Sequence, residues 1–175
     1  MTAFRVSLLT ACALVQSASS IFAAQQGDYQ YDIQKTVIEK ADTRGYDVNM
    51  SRLDRLMGLK VMLRNATFKA LPESQIKWDV LNRKHLSTAI EHSSGTEKLA
   101  PMKAGEKRDI TLGAVTVQGY RDGAVKHVDE LEWQIVIVRE GKEVFRLTST
   151  KSFDLLAKRA VKVEPPAAAA PEPAK

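Results

Sequence analysis

Trp133-Gln-Ile-Val-Ile-Val138, the turn Glu140-Gly141-Lys142, and the return Val144-Phe-Arg-Leu-Thr-Ser-Thr150 form the stretch whose reading decides the fold. The first run is apolar on both faces and rich in β-branched residues, as expected of a central strand covered on each side. The second places Phe145 and Leu147 on one face. Two such runs around a short Gly-containing turn predict a β-hairpin.

Working outward from the hairpin, the same period of two recurs. Ile76, Trp78 and Val80 alternate with Lys77, Asp79 and Leu81, and Leu59, Val61 and Leu63 alternate with Lys60, Met62 and Arg64. Tyr29, Tyr31 and Ile33 share one side of a first strand that should end before Thr43-Arg44-Gly45. Residues 110–117 carry strand signal up to a turn at Arg121-Asp122-Gly123, and residues 65–73 read as a loop closing at Leu71-Pro72-Glu73. Residues 47–57 are ambiguous: Leu53, Leu56 and Met57 have helical spacing, so a short helix or an irregular crossover fits. Residues 87–107 are polar and turn-rich, with Ser93-Ser94-Gly95, Pro101 and Ala104-Gly105-Glu106. After the hairpin, Phe153, Leu156, Ala157, Ala160 and Val161 follow the spacing of an amphipathic helix with Ser152 as its N-cap.

Six or seven short strands separated by polar turns predict a mostly β fold, a single immunoglobulin-like two-sheet sandwich with a short C-terminal helix. The expected layout is a signal peptide over 1–24, the sandwich over 25–151, the helix over 152–163 and a Pro/Ala-rich disordered tail over 164–175. Arg5 precedes an apolar run broken by Ser7, Thr10 and Cys12, and small residues follow, which is the layout of a secretory leader. The run is about half of the ~20 residues that a membrane-spanning helix needs, so no integral membrane segment is expected once the leader is removed. The expected location is therefore exported: periplasm, outer surface or secreted. Leu9-Thr10-Ala11-Cys12 also resembles a bacterial lipobox, so anchoring through a lipidated Cys12 is a rival outcome. Cys12 is the sole cysteine, and its loss with the leader excludes a disulfide framework, thiol catalysis and Cys-ligated zinc.

Three features together resemble the immunoglobulin-like and fibronectin-III-like accessory domains of bacterial envelope proteins. They are the mid-strand Trp78, the loop Leu-Ala-Pro-Met-Lys-Ala-Gly-Glu over 99–106 leading into a strand, and the late hairpin of Trp133 to Leu147. Antibody-type domains carry paired cysteines, which are absent here. Domains of this sort occur beside larger envelope machines, including type IV pilus-like systems, so the resemblance implies an architecture and a setting and transfers no site.

Chemistry-bearing patterns are sparse. His85, His92 and His127 lie seven and thirty-five residues apart, which matches no zinc or non-haem iron spacing, and they read as surface or loop residues. Asp129-Glu130 with Glu132 reads as a solvated strand edge, lacking the Gly and the length of a calcium loop. No Gly-x-Ser-x-Gly elbow or Gly-x-Gly-x-x-Gly loop is present, and Ser93-Ser94-Gly95 reads as a turn. Asn49-Met-Ser51 and Asn65-Ala-Thr67 match the glycosylation sequon, here read as chance. Catalytic, cofactor and metal residues are accordingly expected to be none. The formal charge of +5 is small and spread along the chain, which argues against nucleic acid. The expected role is a non-catalytic envelope accessory or scaffold domain binding another envelope or surface protein. The alternative is a glycan- or polysaccharide-binding module using Tyr29, Tyr31, Tyr46 or Tyr120 as stacking platforms, and a small hydrolase ranks last.

Overall fold

A computed structural model describes residues 24–41, 43–44 and 50–165. The expected leader apart from Ala24, Cys12, the sequon residue Asn49, Tyr46 and tail residues 166–175 lie outside the described residues. In chain order the elements are β1 (Ala24–Gln26), β2 (Tyr29–Lys40), β3 (Thr43–Arg44), β4 (Met50–Asn65), β5 (Ser74–Arg83), β6 (Ile90–Leu99), β7 (Lys107–Asp122), β8 (Val125–Val128), β9 (Glu130–Arg139), β10 (Lys142–Thr148), α1 (Phe153–Ala157) and β11 (Val161–Lys162). They form two sheets. The first runs β1-β2-β4-β7-β8, with β3 also paired to β4, and the second runs β10-β9-β5-β6-β11. Every pairing is antiparallel except β6 with β11. The fold is a mostly β, two-sheet sandwich with one short C-terminal helix.

The hairpin that decided the sequence reading is β9–β10. Its two-residue loop has Glu140 at φ 52° and Gly141 at φ 76°, the doubly left-handed turn whose twist suits flanking strands. Leu59, Val61 and Leu63 of the first sheet meet Ile76, Trp78, Val80, Ile135, Ile137 and Phe145 of the second in one apolar core. Each such side chain contributes about 1.5–3 kcal/mol when fully buried, and packing alone supplies the driving force.

Trp78 shapes its surroundings. Its indole lies against Gly95 on one side and Gly113 on the other, and a Cβ built on Gly95 would stand 2.5 Å from the ring. Gly113, at φ 67°, sits where the β4–β7 register slips, so the same glycine serves the bulge and the indole.

The structure departs from the sequence expectations at several elements. Within residues 87–107 the bend at Ser87-Thr88 and the turn at Ala104-Gly105 are present, but Ile90–Leu99 is β6, paired along its whole length to β5, and Ser93-Ser94-Gly95 is mid-strand rather than a turn. The small residues face Val80 and Trp78, whose bulk fills the layer, so the apolar alternation that would betray a strand is missing. Residues 50–57 belong to β4, with no helix. Leu53, Arg55 and Met57 pair with Gly119, Val117 and Val115, so a period of two was present but an arginine occupied one inward position. The strands are more numerous and longer than expected, β4 and β7 spanning 16 residues each. Finally, the terminal helix stops at Ala157, and the chain returns as β11. Ser152 stands at the N-cap, yet its hydroxyl contacts Thr150 rather than capping the helix.

Candidate functional site

Asp129 is the single residue between β8 of the first sheet and β9 of the second. A chain that changes sheets in one residue must pass between the layers, so this side chain is buried, with 0% of it exposed. A buried carboxylate needs donors, and five converge on it. Oδ1 accepts the His85 amide at 3.0 Å and the His85 Nδ1 at 2.7 Å. Oδ2 accepts the Gln118 amide at 3.1 Å, Lys84 Nζ at 3.3 Å and Asn82 Nδ2 at 3.4 Å. Burial by itself would raise the Asp129 pKa, but the bonds from the His85 ring and amide, the Gln118 amide and the Lys84 charge prevail and hold it below the ordinary range. Because an ionised carboxylate only accepts, the His85 proton sits on Nδ1. Burial pulls Lys84 down, but its bonds and charge contacts with Glu91 and Asp129 prevail and raise it above the ordinary lysine range.

The expectation that Asp129 belongs to a solvated edge is therefore corrected; Glu130 is exposed and pairs with Arg83 at 3.0 Å. The histidines divide. His127 is exposed as expected, whereas His85 and His92 are largely covered, at 12% and 14% side-chain exposure, each against an aspartate. His92 Nε2 lies 2.8 Å from Asp79. The three histidines do not converge, although His85 and His127 flank Tyr120, at ring separations of 5.8 and 4.7 Å. Spacing could not reveal this, since the rows are brought together by β7–β8 pairing and the 84–89 loop.

Chemically, an aspartate-oriented imidazole is half of a base relay, and a nucleophile would have to reach the other ring nitrogen. Among the described residues no hydroxyl bonds to His85 Nε2. The same carboxylate also takes the His85 amide, so the arrangement pins residues 84–89 against the layer crossing. Among the described residues no group of three or more His, Cys, Asp or Glu side chains is placed to hold a metal. No described helix is long and apolar enough to cross a membrane.

Outside the pin lies a cleft of about 590 Å³ lined by Arg83, Lys84, Lys126 and Arg159, with Ile90 and Leu156 beneath. Two other surfaces complete the candidates. Among the described residues, β2 is paired on its outer side only through Tyr29–Tyr31, by β1, which leaves Asp32–Lys40 as an open edge. The loop after β4 displays Phe68, fully exposed. That loop is held by Asn65, whose Nδ2 donates to Lys69 O at 2.7 Å and Lys103 O at 3.0 Å while its Oδ1 accepts the Thr67 amide. Asn65 is fully buried, which removes its sequon from any glycosylating enzyme in the folded protein. Of the expected tyrosine platforms, Tyr29 is fully buried and so is not free to stack a sugar, while Tyr31 is half-buried and packs edge-on against Phe145. Tyr120 is half-buried against His127.

Fold and site together define a two-sheet β-sandwich with a polar pin at its layer crossing. No family model matches the chain, and no curated protein matches it. Among solved structures, a crystal structure from Akkermansia muciniphila is similar at 13% identity, over 77% of this chain and 81% of that one, with a TM-score of 0.35. A likeness of that size carries no argument about function.

Proposed function

We propose that this chain is an exported, non-catalytic accessory domain of a bacterial envelope that binds another envelope protein by accepting its strand along β2. The observation that carries the reading is the open edge of β2. From Asp32 to Val37 the strand keeps regular register with β4, so its outward N–H and C=O groups form a ladder that none of the described residues shares. The bulge between Val37 and Glu39 ends that ladder and limits uncontrolled pairing. The finer architectural reading is fibronectin-III-like. Its support is the strand order, β2-β4-β7 in one sheet opposite β10-β9-β5-β6 in the other, with Trp78 of β5 in the core. Export and an envelope setting rest on the leader and on that resemblance.

The test is a photo-crosslinking residue placed in intact cells at Gln34 on β2, and separately at Lys77 on the second sheet. A discrete adduct from Gln34 alone is expected, together with an N-terminus that lacks the leader by mass spectrometry. Adducts from Lys77 and none from Gln34 would overturn the edge as the binding surface, and a retained leader would overturn export.

A further inference from the structure

The cleft beside residues 84–89 is a different surface from the β2 edge. Its walls come from the end of β5 with the loop into β6, from β8 and the start of β9, and from α1 with the segment after it. Two of its cations are already engaged. Lys84 is shared between Asp129 and Glu91, and Arg83 pairs with Glu130, the one acidic residue of the lining. The other two are not. Among the described residues, Lys126 and Arg159 have no carboxylate partner, and both are exposed. Two hydroxyls on the loop add donors: Ser87 Oγ accepts the Ala89 amide, which leaves its own proton to give, and Thr88 lies beside it.

We propose that this cleft binds a phosphate monoester carrying a small polar body, such as a phosphorylated sugar or a glycerophosphate headgroup. The donors surround the cleft from separate elements, which suits the tetrahedral oxygens of a phosphate, whereas a planar carboxylate is served by a single fork. The volume of about 590 Å³ exceeds that of a bare phosphate ion and leaves room for a small body attached to it. Ile90 and Leu156 give that body an apolar floor, and His127, stacked on Tyr120, gives one wall an aromatic ring. The Asp129 pin fixes the loop in advance, so binding need not order it.

The test is calorimetry and amide chemical shifts of the purified protein titrated with glycerol 3-phosphate, with glutarate as the carboxylate control. Shifts confined to residues 84–89, 126–128 and 159 are expected. Lys126→Ala and Arg159→Ala should each weaken binding about tenfold, the loss of one charge-assisted contact, with an unchanged thermal melt because both residues are exposed. Sedimentation with phosphatidylcholine vesicles containing phosphatidic acid, reversed by glycerol 3-phosphate, identifies a lipid headgroup as the source. Binding of glycerol 3-phosphate without sedimentation identifies a soluble one, and either result upholds the site. Equal affinity for glutarate, shifts spread over lysines of both sheets, or indifference to both substitutions overturns it.

Discussion

At the scale of single residues, the contact between Trp78 and Gly95 leaves no room for a side chain at position 95. The space beneath the indole is already full: any Cβ at position 95 would lie 2.5 Å from a rigid ring whose edges are packed in the core. Gly95→Ala should therefore cost about 1–3 kcal/mol by forcing the ring off its seat, read as a lower urea midpoint with altered tryptophan emission. An unchanged midpoint would mean that the indole has room that the packing denies. Asp129 is the second such residue. Asn at this position presents an amide NH₂ to groups that are themselves donors, so Asp129→Asn should destabilise by about 3 kcal/mol. Its pH signature has a definite sign. A carboxylate whose folded pKa is depressed adds stability that is present above its unfolded pKa and lost as pH falls through the folded one. Urea midpoints of the parent protein should thus fall on acidification below the ordinary aspartate range, and those of Asp129→Asn should fall less steeply over the same interval. Parallel curves for the two proteins would remove Asp129 from the account of acid stability.

Among the elements, α1 is five residues long and could not persist alone; it is held by what it covers. Phe153 is buried with Leu81 and Ile90, sealing the outer face of β5 and β6, whereas Leu155 on the same helix is 65% exposed. Phe153→Ala should cost about 3–5 kcal/mol, and Leu155→Ala less than about 0.5 kcal/mol, in the same denaturant titration. Equal effects would mean that the helix does not serve as a plug. The short helix was legible in the sequence because Phe153 and Leu156 are spaced for one face. The strand that follows was not, since Ala160 and Val161 prolong the helical period while the backbone departs from it to pair with Glu91 and His92. Strands such as β5 and β9 were legible because large apolar residues occupy alternate positions. Strand β6 was hidden because Trp78 requires glycine opposite it and serines stand opposite Asp79 and Val80, and β4 because Arg55 interrupts an inward row. The pin was hidden for a different reason: its donors come from residues 82–85 and 118, and nothing local in Asp129-Glu130 signals that one carboxylate is buried and its neighbour is not.

Across the whole molecule, the two sheets are tied by polar contacts at both ends of the core. At one end Asp129 and Asn82 join β5 and the layer crossing to β7, where Asn82 Nδ2 also donates to Thr116 O at 3.0 Å. At the other, Arg139 of β9 donates to Asp28 at 2.9 Å, to the Tyr29 hydroxyl at 2.9 Å and to Ser74 at 3.4 Å, linking the start of β2 to the second sheet. These ends are separated by the length of β9, about 30 Å at ~3.3 Å per residue, with the apolar core between them. They share no partner, so their contributions should be independent. Arg139→Met keeps much of the side-chain volume while removing three donations, and should destabilise by about 1–3 kcal/mol. Combined with Asp129→Asn, the loss should equal the two single losses to within about 0.5 kcal/mol. A double mutant much more stable than that would mean that breaking one end already releases the other, so that the sheets separate as a zipper from either end. A double mutant much less stable would mean that each end alone holds the layers in register. Additivity is the outcome that a rigid, fully packed core between the two clamps requires, because only such a core keeps the second clamp aligned after the first is lost.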